Sequence, residues 1–395
     1  MTGKADGRRR GSAAVKLAAC IAAGMAAWMA VAAARVWAEP VGATGEAPAA
    51  VPVETAAVTG VPADFSAFLD GIGRDVFGRL GCTDKHWRQI SPALHHLTLQ
   101  HADALAQLAD DRRVATLAAL AALIDSKREA AGTIPVLAPG RTVIGLLDPA
   151  QGLGRKEITA IADAYDCEST VFKQEQADQT IAGIGAEFLA AVTAAVGAGK
   201  PTSVIVLGHG LPTEIQSYHI RFERLAQALL DGAEGSAAVD LSRVVIVCDD
   251  CFSADFHINL LAEIAKEAAR RGRPLASLPV CIAGTNRNRV GHADVGEKFV
   301  PHFWRDVIEL YFIRRPLPEA VTLANFFGNV DNMMYGYGRA PIVEDGRVAG
   351  YRLVDPELVQ DPVVFVPLDE ADLVKLREIL GLPADAPLPR WLDVG

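Results

Sequence analysis

Ser203-Val204-Ile205-Val206-Leu207-Gly208-His209-Gly210 and Val244-Val245-Ile246-Val247-Cys248-Asp249-Asp250-Cys251-Phe252-Ser253 decide how this chain is read. Each opens as an unbroken apolar, β-branched run and closes on a side chain able to do chemistry. Runs of this kind read as strands buried on both faces, the pattern of a parallel sheet covered by helices. Ligands bind such sheets just beyond the carboxyl ends of the strands. A histidine at one end and a cysteine at another are therefore expected to share a crevice. Between the two runs lie the helical stretch Phe222 to Leu230 and a turn from Gly232 to Ser236. That is the length of a crossover between parallel neighbours.

Working outward, Thr142 to Leu147 reads as a strand ended by Asp148-Pro149, and Ile158 to Tyr165 as a helix. Thr170 to Phe172 is a short strand, and Ile181 to Val196 a helix broken by Gly197 to Pro201. Downstream, Asn259 to Arg271 is an amphipathic helix with basic residues in its last turn, and Leu278 to Ala283 a further buried strand. Phe303 to Phe312 closes with a helix. The alternation predicts an α/β fold, an open and mostly parallel sheet with helices on both faces.

Before this core, Phe65 to Ala131 carries leucines at helical spacing. Its neighbouring His95 and His96 point to different helix faces, which makes a poor metal site. After it come a hairpin from Ala340 to Leu353, a strand from Val363 to Val366 and a helix from Glu370 to Leu380. The expected organisation is a signal segment at 1–38, a flexible linker at 39–62, a helical segment at 63–135, a catalytic domain at 141–315 and a C-terminal extension at 316–395.

The 395 residues carry a net charge of −10 with 50% hydrophobic composition, enough for a sizeable core. No basic stretch follows the N-terminus, which argues against a nucleic-acid partner. Lys4 and Arg8-Arg9-Arg10 precede the apolar segment Leu17 to Ala34, and Val36-Trp37-Ala38 supplies small residues for cleavage before Glu39. The reading is an exported protein, periplasmic or secreted. Its rival is an uncleaved inner-membrane anchor at residues 17–34.

Of six cysteines, Cys20 falls in the signal segment. The remaining five are an odd number, so an oxidising compartment leaves at least one thiol unpaired. Cys248 and Cys281 lie inside expected strands and read as small buried hydrophobes. Cys251 lies just past a strand end, where backbone N–H groups opening into a helix would favour a thiolate. A cysteine nucleophile needs a histidine within reach, and His209 is the natural partner. Gly210 lets its N–H approach a substrate carbonyl, and with the Cys251 N–H it could stabilise an oxyanion. No metal or cofactor is needed.

A strand ending in His-Gly followed by one ending in acidic-x-Cys-x-Ser resembles the legumain/caspase superfamily of cysteine peptidases. The separation 251 − 209 = 42 suits that family. Val204 to Pro212 is similar to its His-Gly-x-Pro segment, Val280 to Arg287 to its next strand and specificity loop, and Gly296-Glu297-Lys298-Phe299 to the segment after that. The resemblance covers about Arg141 to Phe312. It implies a caspase-like fold and a cysteine endopeptidase acting on a peptide or protein substrate. Cys251 would attack the carbonyl, His209 would serve as general base and acid, and the Gly210 and Cys251 N–H groups would form the oxyanion hole. Asp249, Thr285, Asn286 and Arg287 would line the substrate pocket.

Two other readings stay open. Asp250 stands where the family has a small residue, and a carboxylate beside a thiolate raises its pKa. That would make the chain an inactive member serving as an envelope binding or scaffold module. Alternatively, Cys248-x-x-Cys251 would be a thiol–disulfide pair, which requires Cys248 outside its strand.

Overall fold

The structure is a computed structural model. It describes residues 93–94, 97–98, 105, 108, 110–149, 155–176, 178–285, 319–324, 339–344, 347–353 and 363–394. Every described residue belongs to one compact unit, Ala63–Gly395. The expected signal segment, linker, Phe303–Phe312 helix and Gly296–Phe299 motif lie outside the described residues.

The apolar runs form the strands that their composition dictates. In chain order they are β1 (Thr142–Leu147), β2 (Glu168–Phe172), β3 (Thr202–Leu207), β4 (Val244–Asp249), β5 (Val280–Ala283), β6 (Val363–Pro367) and β7 (Trp391–Val394). They build one seven-stranded sheet in the order β7-β6-β5-β4-β3-β1-β2. The pairings from β2 through to β5 are parallel, while β6 and β7 join antiparallel. The sheet is therefore mixed. Residues 363–394, read from the sequence as part of an extension, complete the sheet that carries His209 and Cys251.

Six helices are described: α1 (Asp110–Gly132), α2 (Arg155–Ala164), α3 (Ile181–Gly197), α4 (Phe222–Gly232), α5 (Ser253–Arg270) and α6 (Glu370–Leu380). Side chains alternate along each strand, so every buried strand feeds two cores. Val143, Ile205, Leu207, Val245, Val247 and Ile282 pack with residues of α1, α2 and α6. Ile144, Val204, Val206, Ile246, Cys248 and Cys281 pack with α3, α4 and α5. Both β3 and β4 are buried along their full lengths, which explains their lack of polar alternation.

The amino edge of the sheet is locked by Arg141. Its Nε donates to Ser203 Oγ at 2.6 Å, and its Nη2 donates to the carbonyls of Thr202 at 3.1 Å and Arg243 at 3.0 Å. Burial pulls this guanidinium down to about 10, since charge is disfavoured away from water. One side chain thus joins the starts of β1, β3 and β4. The register fixed there carries through to the opposite edge.

Candidate functional site

β3 and β4 pair in parallel from Thr202↔Val244 to Leu207↔Asp249, an offset of 249 − 207 = 42. His209 and Cys251 differ by the same 42 positions, so they leave the carboxyl edge level with each other. The Gly208 N–H donates to the Asp249 carbonyl at 3.4 Å, extending the ladder to the exit itself. His209 is exposed and Cys251 half-buried.

After β3 the chain turns into a small antiparallel sheet, with Gly210↔Ile215 and Leu211↔Glu214 paired. This hairpin fixes the backbone of His209. The Gln216 N–H donates to the His209 carbonyl at 2.9 Å, and the His209 N–H donates to Ser217 Oγ at 3.4 Å. Ser217 in turn donates to the carboxylate of Asp148. Tyr218 donates through its hydroxyl to the Leu147 carbonyl at 2.6 Å. On the other side, Asn259 Nδ2 on α5 donates to the Pro212 carbonyl at 2.8 Å.

Asp148, Ser217 and Asn259 were not among the residues that the sequence pointed to. Asp148 carried the same signal as His209, a polar residue closing an apolar strand. Ser217 and Asn259 carried none, because their partners are 69 and 47 positions away.

Cys251 sits between a strand and a helix, and the turn is strained. Phe252, which follows it, has φ 57° and ψ 23°, the left-handed region that a residue with a bulky side chain rarely occupies. α5 starts at Ser253, without the help of a side chain at Phe252. Instead, the Ser253 N–H donates to Thr285 Oγ1 at 3.0 Å and the Ala254 N–H to the Thr285 carbonyl at 3.1 Å. Thr285 Oγ1 donates to the Asp250 carbonyl at 3.0 Å, and the Thr285 N–H to Ser253 Oγ at 3.0 Å.

This network corrects two expectations. The first two amides of α5 are engaged by Thr285 and are not free to favour a thiolate. Thr285 itself is fully buried and has no surface for substrate, so it is a positioning residue for the Cys251 turn. Asn286 and Arg287, expected in the same pocket, lie outside the described residues.

Asp249 and Asp250 are each 2% exposed. Asp249 packs against Gly284, where an added Cβ would fall 2.4 Å from its Oδ1, so it lies against backbone and not on an open pocket wall. Asp250 lies against Gly210, where a Cβ would meet its Cγ and the Cys251 carbonyl, each at 2.5 Å. Burial, and then the neighbouring Asp249, push the Asp250 carboxyl well above the ordinary range. Both causes favour the protonated form of Asp250, which carries no charge beside the thiol.

Cys248 is fully buried within β4, and burial drives its thiol well up. Cys167, Cys248, Cys251 and Cys281 are in no disulfide, and of these four Cys251 is half-buried while the others are buried. A thiol–disulfide pair that needs Cys248 outside its strand does not fit this placement. Among the described residues no three His, Cys, Asp or Glu side chains are grouped to hold a metal ion.

No family model matches the chain, and no curated protein matches it. Among solved structures, one titled SPT with PLP matches at 11% identity and a TM-score of 0.23, covering 84% of this chain and 78% of that one. A second structure with the SPT with PLP title matches at 12% identity and a TM-score of 0.20, covering 78% of this chain and 79% of that one. At these values the likeness carries no argument about fold or chemistry. The family assignment drawn from the four motifs is corrected accordingly: no family model matches the chain, and the structures named above bear another title. The chain is not placed in that superfamily, and the thiol-protease label that followed from the resemblance is withdrawn with it. What remains is the chemistry of the residues themselves.

Proposed function

We propose that the chain hydrolyses an acyl bond, an amide such as a peptide linkage, through Cys251 and His209. The observation that supports this reading is the shared register of β3 and β4, which brings an imidazole and a half-buried thiol to one sheet edge. A strained strand-to-helix turn beneath the thiol supports it further, since such strain clusters at reactive sites.

In this mechanism the Cys251 thiol gives its proton to the His209 imidazole, and the sulfur attacks the carbonyl carbon. The oxyanion is stabilised by the N–H groups of Gly210 and Cys251. His209 then hands the proton to the leaving amine as the C–N bond breaks, which leaves a thioester on Cys251. Water, deprotonated by His209, attacks that thioester, and the acid product departs as the thiol regains the proton. Asp148 and Ser217 hold the His209 backbone in place during both halves. Asp249 contributes a buried wall below the sheet edge, and no cofactor takes part.

We also infer export, on the basic residues Lys4 and Arg8 to Arg10 ahead of the apolar Leu17 to Ala34 segment. The test of the activity is labelling of the full chain with a thiol-directed covalent probe, coupled to a fluorogenic amide library. Labelling confined to Cys251, with turnover lost in Cys251→Ala and His209→Ala, supports the reading. Turnover that survives Cys251→Ala ends it.

A further inference from the structure

Asp250 has no part in the mechanism above, and its surroundings are unusual. Its side chain is 2% exposed, and Oδ1 is buried with no hydrogen-bond partner. The carboxyl presses on the Gly210 backbone, with Oδ2 2.6 Å from where a Cβ would lie, and the Cys251 carbonyl crowds the same point. The next residue back, Asp249, is a second buried carboxyl.

Among the described residues, the groups around Asp250 offer no compensating positive charge. Next to it in the chain stand Cys248 and Asp249 at the end of β4 and Cys251 in the turn. At the β3 exit Gly208 and Gly210 flank His209, whose side chain is exposed. From the end of β5 come Gly284 and Thr285, neither of them titratable. An ionised carboxylate with an unpaired oxygen, beside another carboxyl and out of water, is heavily penalised. A neutral acid in the same place is tolerated.

We propose that Asp250 is a positioning residue that works as a neutral carboxylic acid, wedged between the His209–Gly210 exit and the Cys251 turn. Loss of its proton disables the site. The proton stays on the carboxyl and is not transferred during turnover. Once it leaves, the unsolvated charge draws Asp250 toward water and levers Gly210 and the Cys251 carbonyl apart, while its field opposes a thiolate on Cys251. Burial and Asp249 act in the same direction, both favouring the protonated form.

This inference deepens the proposed acyl-bond hydrolysis, yet part of its test is independent of activity. The folded chain keeps a proton that the unfolded chain releases above about pH 4. Folding then takes up a proton, and stability falls as pH rises. The experiment compares full-length wild type with Asp250→Asn, a neutral isostere, by urea unfolding from pH 5 to pH 8. The ratio of unfolding constants, wild type over variant, should rise by about tenfold per pH unit. A ratio that is flat, or that falls with pH, would show a charged Asp250 and overturn the proposal.

If the variant fails to fold, the infrared carbonyl band of a protonated carboxyl, read at pH 7 in wild type carrying isotope-labelled aspartate, decides the same point. Its absence overturns the proposal. In the amide assay, wild type should lose kcat/KM on an alkaline limb that Asp250→Asn lacks, with activity at pH 6 within about threefold of wild type. An alkaline limb shared by both proteins overturns the positioning role. No turnover in either protein means that the hydrolase reading has failed, while the unfolding ratio still decides the state of Asp250.

Discussion

Thr285 and Ser253 hold each other by reciprocal bonds, the Ser253 N–H to Thr285 Oγ1 and the Thr285 N–H to Ser253 Oγ, each at 3.0 Å. The end of one strand thereby serves as the cap of a helix 32 positions upstream. The Cys251 thiol sits two residues before that cap, so its placement depends on a threonine that is fully buried.

Replacing Thr285 by Val removes the hydroxyl and leaves the Ser253 N–H buried without a partner. The expected loss is about 2–3 kcal/mol, the cost of an unsatisfied buried donor plus a second bond to the Asp250 carbonyl. Thr285→Ser, which keeps the hydroxyl, should lose under half of that. Urea denaturation of the two variants checks the ordering. A Val variant as stable as wild type would mean that the cap is supplied elsewhere.

His209→Ala should cut turnover by about 10²–10⁴, the usual contribution of a positioned acid–base group. Its side chain is exposed, so stability should stay within about 0.5 kcal/mol. Steady-state kinetics beside thermal unfolding separates the two effects. Ser217→Ala tests the support of that histidine and should lower kcat more than it raises KM.

Gly210→Ala should fail for steric reasons, since the new methyl would lie 2.5 Å from both Asp250 Cγ and the Cys251 carbonyl. We expect about 1–3 kcal/mol of overpacking and a disproportionate loss of turnover. Adding Asp250→Gly removes one of the two clashes, so the double variant should recover part of the stability. Additive losses across the double-mutant cycle would refute the contact.

Acid should destabilise the protein partly through His257. It is fully buried, donates through Nε2 to the Ile282 carbonyl at 3.1 Å, and has Nδ1 without a partner. Burial lowers its pKa to about 4. The unfolded residue titrates at about 6.5, so its contribution is intact above that value and is lost as pH falls toward 4. One proton over that interval amounts to about 3 kcal/mol. His257→Leu should flatten the stability profile between pH 6.5 and 4, as read by denaturant unfolding at several pH values.

The strands were legible because their evidence is local. Val204 to Leu207 and Val244 to Cys248 announce burial on both faces by composition alone, and their ends announced His209 and Cys251. The helix expected from Asn259 starts six residues earlier, at Ser253, because its cap comes from Thr285 and no capping side chain precedes it in sequence. The same distance hid Ser217 and Asn259, whose meaning lies in what the fold brings beside them. The neutrality of Asp250 was also illegible, since an aspartate in a string of letters carries a charge that only its surroundings can remove.

The late position of β6 in the chain bears on when this protein can work. β6 flanks β5, and β5 carries Thr285 at its exit. During synthesis, β5 remains an unpaired sheet edge until residues 363–367 emerge from the ribosome. A nascent chain that already contains His209 and Cys251 thus lacks the flank that steadies the Cys251 turn until residues 363–367 have been made.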